Sequence, residues 1–135
     1  MTEMVYRKDF DAWNVEKKRI NALSRPVFFH VREVWWCSLG VNVGFEQDGK
    51  NQHFSRPVVI LKTYSTNAAL IVPLTTRSKK GAYYFDLGRV AGREAKAVLS
   101  QVRFTDRRRL INKVDTISKD TFEKLRSAII QLNLS

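Results

Sequence analysis

The sequence is poor in the residues that build covalent or metal-linked scaffolds. It contains one cysteine, Cys37, and two histidines among 135 residues. A single cysteine excludes an intramolecular disulfide framework and fits a reducing cytoplasm. One cysteine and two histidines are too few to form the ligand spacing of a zinc site. We therefore expect neither a metal nor a cofactor. The segment "REVWWCSL" is strand-like, and a small buried core residue is the favoured interpretation of Cys37 over a nucleophile.

Long apolar runs are also missing. No stretch approaches the roughly 18 apolar residues of a membrane-spanning helix. The first 13 residues, "MTEMVYRKDFDAW", mix acids and bases and lack the apolar region of a signal peptide. There is no repeat, low-complexity segment or biased linker. The sequence therefore predicts a soluble cytoplasmic protein without a membrane partner, folded as a single domain over residues 1–135.

Acidic residues are scarce relative to basic ones. Thirteen Asp and Glu face 24 Lys and Arg, for a net charge of +11. Residues 75–113 hold eleven basic side chains and three acidic ones, a net charge of +8. A basic surface gains affinity for a phosphate backbone through counterion release, so nucleic acid is the leading candidate partner. An acidic protein or an anionic membrane would be attracted by the same field.

Apolar spacing divides the chain into three parts. Phe10, Trp13, Ile20 and Leu23 have helical spacing, which predicts a helix over residues 9–23 that ends before Pro26. From residue 31, short β-branched or aromatic runs alternate with turn residues: "VREVWWCSLG", "RPVVILKTY", "AALIVPLTT", "AYYFDL" and "KAVLSQVRF". They predict a small antiparallel barrel of five to six strands.

The third part is a closing helix. Phe122, Leu125, Ile129 and Leu132 form one apolar stripe after a Ser118 N-cap. We therefore predict a mainly β domain with flanking helices. Residues 1–30 form an N-terminal helical extension, and residues 31–135 form the barrel with its C-terminal helix.

Four segments in a fixed order carry a family resemblance. "REVWWCSLGVNVGFEQ", "RPVVIL", "IVPLTT" and "VLSQVRFTDRRRL", followed by the closing helix, resemble the MazF/PemK (Kid) toxins of type II toxin-antitoxin systems from about Val31 to the C-terminus. The resemblance implies an SH3-like barrel of the CcdB/PemK type that forms a homodimer. It also implies an mRNA interferase that cleaves single-stranded RNA at short sequences without metal or cofactor. Its inhibitor would be an acidic antitoxin of the MazE/PemI type. DNA would be bound only indirectly, through the complex of toxin and antitoxin.

The resemblance assigns Arg56 and Thr75 as catalytic residues. Metal-free RNA cleavage uses the 2'-hydroxyl to attack its own phosphate, giving a 2',3'-cyclic phosphate and a 5'-hydroxyl. It needs a base, an acid and donors that stabilise charge on phosphorus. Arg56 suits the last role because its guanidinium stays charged and can grip two oxygens. The Thr75 hydroxyl can hydrogen-bond the 2'-oxygen or a non-bridging oxygen.

Further residues are implied around this pair. Gly44, Glu46 and Gln47 would begin the loop between the first two strands, and Gln101 and Arg103 would line the same groove. Thr76 is a weaker candidate. Glu46 or His53 could carry protons, although an exposed loop histidine without a role is the favoured interpretation of His53. The basic residues assigned to RNA binding are Arg77, Lys79, Lys80, Arg103 and Arg108.

The sequence departs from the Kid-type relatives that use an Arg-x-Asp and a histidine in catalysis, because Val98, Ser100 and Phe45 stand at those positions. An arginine-threonine mechanism is therefore expected. Two alternatives remain: a non-catalytic SH3-like nucleic-acid-binding module, and a CcdB-like toxin that targets gyrase. Retention of Arg56, Thr75 and Gln101 argues against both.

Overall fold

The computed structural model describes residues 7–51, 53–78 and 80–135. Two helices enclose seven strands in chain order. The elements are α1 (Phe10–Asn21), β1 (Glu33–Ser38), β2 (Ser55–Tyr64), β3 (Ala68–Thr75), β4 (Tyr84–Val90), β5 (Arg93–Val98), β6 (Arg103–Asp106), β7 (Leu110–Thr116) and α2 (Lys119–Leu134). The predicted mainly β fold with a helix at each end is confirmed.

Both helices begin at side-chain caps, and the cap at Ser118 was predicted. The side chain of Asp9 accepts a hydrogen bond from the Ala12 amide, and that of Ser118 accepts one from the Thr121 amide. These bonds satisfy amide groups that have no partner within the first turn. Of the four apolar residues of the predicted helix, Trp13 and Ile20 are buried, whereas Phe10 is 50% exposed and Leu23 lies beyond the end of α1.

The strands form an antiparallel sheet in the order β4-β5-β3-β2-β1-β7. The long strand β3 changes partner along its length: Ala68–Ile71 pairs with β6, whereas Leu74 and Thr75 pair with β5. The prediction of five to six strands was wrong in two places. A 3₁₀ turn at Leu99–Gln101 splits the run "KAVLSQVRF", and β7 was not predicted.

Apolar residues pack on both sides of the sheet because side chains alternate along each strand. On one side α2 inserts Phe122 and Leu125 against Val34, Val59 and Val72. The other side forms a second cluster. Its members include Trp35, Cys37, Val58, Ile60, Ile71 and Leu110. The two clusters hold β1, β2 and β3 rigidly, and these strands position the candidate site.

Among the helices of the described ranges, none is both long enough and apolar enough to cross a membrane.

Candidate active-site groove

Arg56 and Thr75 lie on neighbouring strands. Val58 of β2 pairs with Pro73 of β3, and continuing this antiparallel register places Arg56 opposite Thr75. Both line a cavity of about 490 Å³, here called the central groove. Its other lining residues are Val34, Trp36, Lys50, Asn51, Ser55, Pro57, Leu74, Thr76, Val90, Ala91, Arg93, Ala95 and Val114. The two residues assigned to catalysis thus share one concave site.

The Arg56 guanidinium is held by oxygens on two sides. The residue is only 9% exposed, and its Nε donates to the Asp48 carbonyl at 2.5 Å while Nη1 donates to the Leu74 carbonyl at 3.4 Å. With its amide oriented so that both groups are satisfied, Gln47 accepts from Arg56 Nη2 at 2.7 Å. The guanidinium therefore ties the β1–β2 loop, residues 39–54, to β3 and is itself preorganised.

Thr75 is buried at the end of β3. Its Oγ1 accepts a hydrogen bond from the Arg77 amide at 3.2 Å. A hydroxyl that accepts a bond keeps its own proton as a donor. Thr75 can therefore donate to an oxygen in the central groove. Thr76 is exposed and lines the same groove.

Gln101 contacts the loop segment that carries the Glu-Gln pair. The Gln47 amide donates to Gln101 Oε1 at 3.3 Å, and Gln101 Nε2 donates to the Phe45 carbonyl at 3.4 Å. Glu46 is exposed, and its Oε1 accepts from the Val43 amide at 3.2 Å. Gln101 thus fixes one side of the loop that carries Glu46.

A second cavity of about 670 Å³, here called the loop groove, lies on the other side of this loop. Glu46, Lys50, Arg56 and Arg77 all line it, and Lys50 and Arg56 line the central groove as well. The two grooves therefore share Lys50, Asn51 and Arg56. A strand of nucleic acid could follow both.

Lys50 is the functional candidate that sequence reasoning missed. Its pKa is lowered, first by burial and then by the positive charges of Arg56 and Arg77. Three cations close enough to influence one another form a site suited to phosphate oxygens. Lys50 precedes Arg56 by only six residues in the same polar loop. It was missed because it lies outside the strongly basic segment, residues 75–113.

The structure separates other predicted residues from the grooves. His53 faces α1, and its Nδ1 lies 3.4 Å from Glu16 Oε1. This placement does not support a role for His53 in proton transfer to or from a substrate bound at Arg56. Arg108 donates through Nε and Nη2 to both carboxylate oxygens of Asp106, at 2.9 and 3.0 Å, and through Nη1 to the Asn21 carbonyl. These bonds hold it beside α1.

The remaining assigned basic residues occupy different places. Arg103 lies on β6 opposite Ile71 and influences the pKa of the neighbouring Arg109. The described linings of the central and loop grooves include neither Arg103 nor Gln101, so the expectation that these two residues line one groove stays a prediction. Lys80 is exposed, and Lys79 lies outside the described residues.

Carboxylates and histidines meet only in pairs in the part of the chain that the structure describes, as in His30–Glu33 and His53–Glu16. In the three described ranges, no three such side chains form a cluster that could hold a metal ion. Burial raises the pKa of the Cys37 thiol to about 11. Cys37 is thus a protonated core residue, as its sequence context predicted.

Comparison with a protein-family model identifies this combination of fold and segments. The model of the PemK-like, MazF-like toxins of type II toxin-antitoxin systems matches residues 30–132. The chain belongs to this family. A comparison with curated protein sequences gives no significant match.

Solved structures of MazF proteins share the fold. MazF from Deinococcus radiodurans superposes with a TM-score of 0.67 at 20% identity, covering 78% of this chain and 96% of that one. An endoribonuclease from a mycobacterial species, solved in complex with its cognate antitoxin, gives a TM-score of 0.59 at 15% identity, covering 80% and 98%. At these identities the likeness concerns the fold.

Proposed function

We propose that the protein is an endoribonuclease toxin that cleaves single-stranded RNA at the central groove. The observation that carries the proposal is the convergence of Arg56, Thr75 and Lys50 in one cavity of a PemK/MazF family chain. A fold relative described as an endoribonuclease supports the reaction class. Neither proposed alternative, a non-catalytic binding module or a gyrase-directed toxin, needs a buried arginine and a strand-end threonine in the same groove.

In the proposed reaction the 2'-oxygen forms a bond to phosphorus and the 5'-oxygen leaves. Arg56 stabilises the negative charge that develops on the non-bridging oxygens, because its guanidinium is already held in place. Thr75 orients the attacking nucleotide by donating a hydrogen bond. The charge stabilisation comes from protein donors alone.

The reaction also moves two protons. Glu46, which shares the loop groove with Arg56, is the proposed acceptor of the 2'-hydroxyl proton. Lys50 is the proposed donor to the leaving 5'-oxygen, since it lines both grooves and its lowered pKa makes the ammonium a better acid. The products are a 2',3'-cyclic phosphate and a 5'-hydroxyl.

The test is cleavage of a long mixed-sequence RNA by purified protein in excess EDTA, with sequencing of the ends. We expect defined cuts with 2',3'-cyclic phosphate and 5'-hydroxyl termini. RNA carrying one 2'-deoxy or 2'-methoxy nucleotide at the cut site should bind but stay intact, because the nucleophile is missing. Metal-dependent cuts with 5'-phosphates would contradict the mechanism, and tight binding without any cut would favour the non-catalytic module.

We further propose a homodimer and an acidic antitoxin as partners. The basic grooves that would take RNA would also take an acidic, partly disordered peptide, which inhibits by occupying them. Co-expression of each neighbouring reading frame should identify one that relieves growth inhibition, and its binding should weaken as salt rises. Growth inhibition that no neighbouring frame relieves would count against this partner.

A further inference from the structure

The helical extension contacts the β1–β2 loop at three places. The family match begins at residue 30, so α1 lies outside it. Trp13 of α1 packs on both ends of the loop, edge-on to Phe54 with ring centroids 5.6 Å apart. At the other end, a Cβ added to Gly40 would stand 2.2 Å from the Trp13 ring. Glu16 meets His53 at 3.4 Å.

Lys8 contacts the middle of the loop. Its ammonium donates to the carbonyls of Asn42 and Gly44, the latter at 2.9 Å, and lies 3.3 Å from the Asp48 carboxylate. That carboxylate in turn accepts from the Asn42 amide at 2.7 Å. An ammonium with three oxygen partners from one loop fixes the shape of that loop.

The same contacts lead directly to Arg56. Asp48 binds Lys8 through its side chain and binds Arg56 Nε through its backbone carbonyl. The adjacent Gln47 accepts from the same guanidinium. A shift of Asp48 therefore moves two acceptors that orient Arg56. Misplacing a catalytic group by about 1 Å can cost roughly a hundredfold in rate.

We propose that Lys8 and α1 form a clamp that holds the β1–β2 loop in the arrangement that orients Arg56, which makes Lys8 a positioning residue for RNA cleavage. The cleavage part of this inference rests on the proposed function. The contact part does not, because it concerns only how the extension holds the loop. Lys8 also lines the loop groove, so the experiment must separate its role in loop geometry from the contribution of its charge to RNA binding.

The experiment compares Lys8→Ala with Lys8→Arg and with Lys17→Ala. Lys17 is an exposed lysine of α1, so its removal matches the change in net charge. Hydrogen exchange is followed at the amides of Asn42–Asp48, and steady-state cleavage of one defined RNA gives kcat and KM. In Lys8→Ala we expect exchange to be about tenfold faster or more and kcat about tenfold lower or more, with KM nearly unchanged. Lys8→Arg should recover most of kcat, and Lys17→Ala should behave as wild type in exchange and kcat.

Unchanged loop exchange in Lys8→Ala would overturn the clamp. A raised KM with normal kcat, matched by Lys17→Ala, would show that Lys8 only adds positive charge and would also overturn it. If Lys8→Ala does not fold, Asp48→Asn removes the same ion pair from the other side and should give the same exchange and kcat changes. If wild-type protein cleaves no RNA, the proposed function fails, while faster exchange in Lys8→Ala still supports the clamp.

Discussion

Replacing Arg56 tests the proposed chemistry, and the structure shows that the test must separate two effects. Arg56→Ala removes the donors to the Asp48 carbonyl, the Leu74 carbonyl and Gln47 Oε1. At about 1 kcal/mol for each bond lost, the free energy of unfolding should fall by about 3 kcal/mol. Arg56→Lys keeps the charge and can keep one or two of these bonds, so its loss should be about 1 to 2 kcal/mol.

The effect on turnover is expected in the protein that remains folded, and it is separate from the loss of stability. Removing one preorganised donor from a charge-stabilising site costs about a hundredfold or more in kcat, or about 3 kcal/mol in the activation free energy. Arg56→Lys should recover only part of this because an ammonium lacks the planar fork of a guanidinium. KM should change much less, since the interaction forms mainly in the transition state.

The assay is steady-state cleavage of a defined RNA at 25 °C, with stability measured in parallel by urea unfolding. A variant is compared only if its unfolding curve shows it to be native at 25 °C. Thr75→Ala serves as a companion that removes one neutral donor and should lose about tenfold or more in kcat. Near-normal kcat in folded Arg56→Ala would refute the reasoning, leaving Arg56 as a loop anchor and moving charge stabilisation to Lys50 and Gln101.

Two further predictions concern binding and pH. Arg77→Ala should raise the Kd for RNA several-fold, with kcat at saturation nearly unchanged. The loss of one single-strand phosphate contact should also reduce the slope of the log binding constant against log salt concentration by about 0.7. An unchanged slope would show that Arg77 does not contact RNA phosphates. Cys37 should resist alkylation at pH 8 until the protein unfolds, because the folded thiol has a pKa of about 11. Since the unfolded thiol ionises near pH ~8.5, the free energy of unfolding should fall by about 3 kcal/mol between that pH and about 11. Cys37→Ala should lack this component, and rapid labelling of the native protein would contradict the assignment.

Much of the fold was predictable because local patterns agreed with tertiary packing. The cap at Ser118 and the apolar strands β2 and β3 needed no long-range information. The strand β7 escaped prediction because its register with β1 shifts twice, which breaks the alternation of buried and exposed residues expected of a strand. The turn at Leu99–Gln101 was hidden by the apolar residues on either side of it.

The candidate site shows the same division. Arg56 and Thr75 were predicted as catalytic residues because their segments resemble those of the MazF/PemK family. The antiparallel pairing of β2 with β3 then places them opposite each other. Arg108 was assigned to RNA from charge alone, although the aspartate two residues before it could have indicated a local ion pair. The contacts of Lys8 with residues 42–48 join parts of the chain more than thirty residues apart, and no local pattern records such a pairing.

The pairing of β1 with β7 also constrains how the chain is made. Glu33 near the start of the sheet pairs with Thr116 near its end, and α2 supplies Phe122 and Leu125 to the core around Val34. While the ribosome is still adding residues before 110, β1 has an open edge and one face of the sheet has no cover. The wall of the central groove formed by Val114 is also missing. A chain cut short at that stage can neither close its core nor complete its groove, so we expect folding to wait for the last fifth of the sequence.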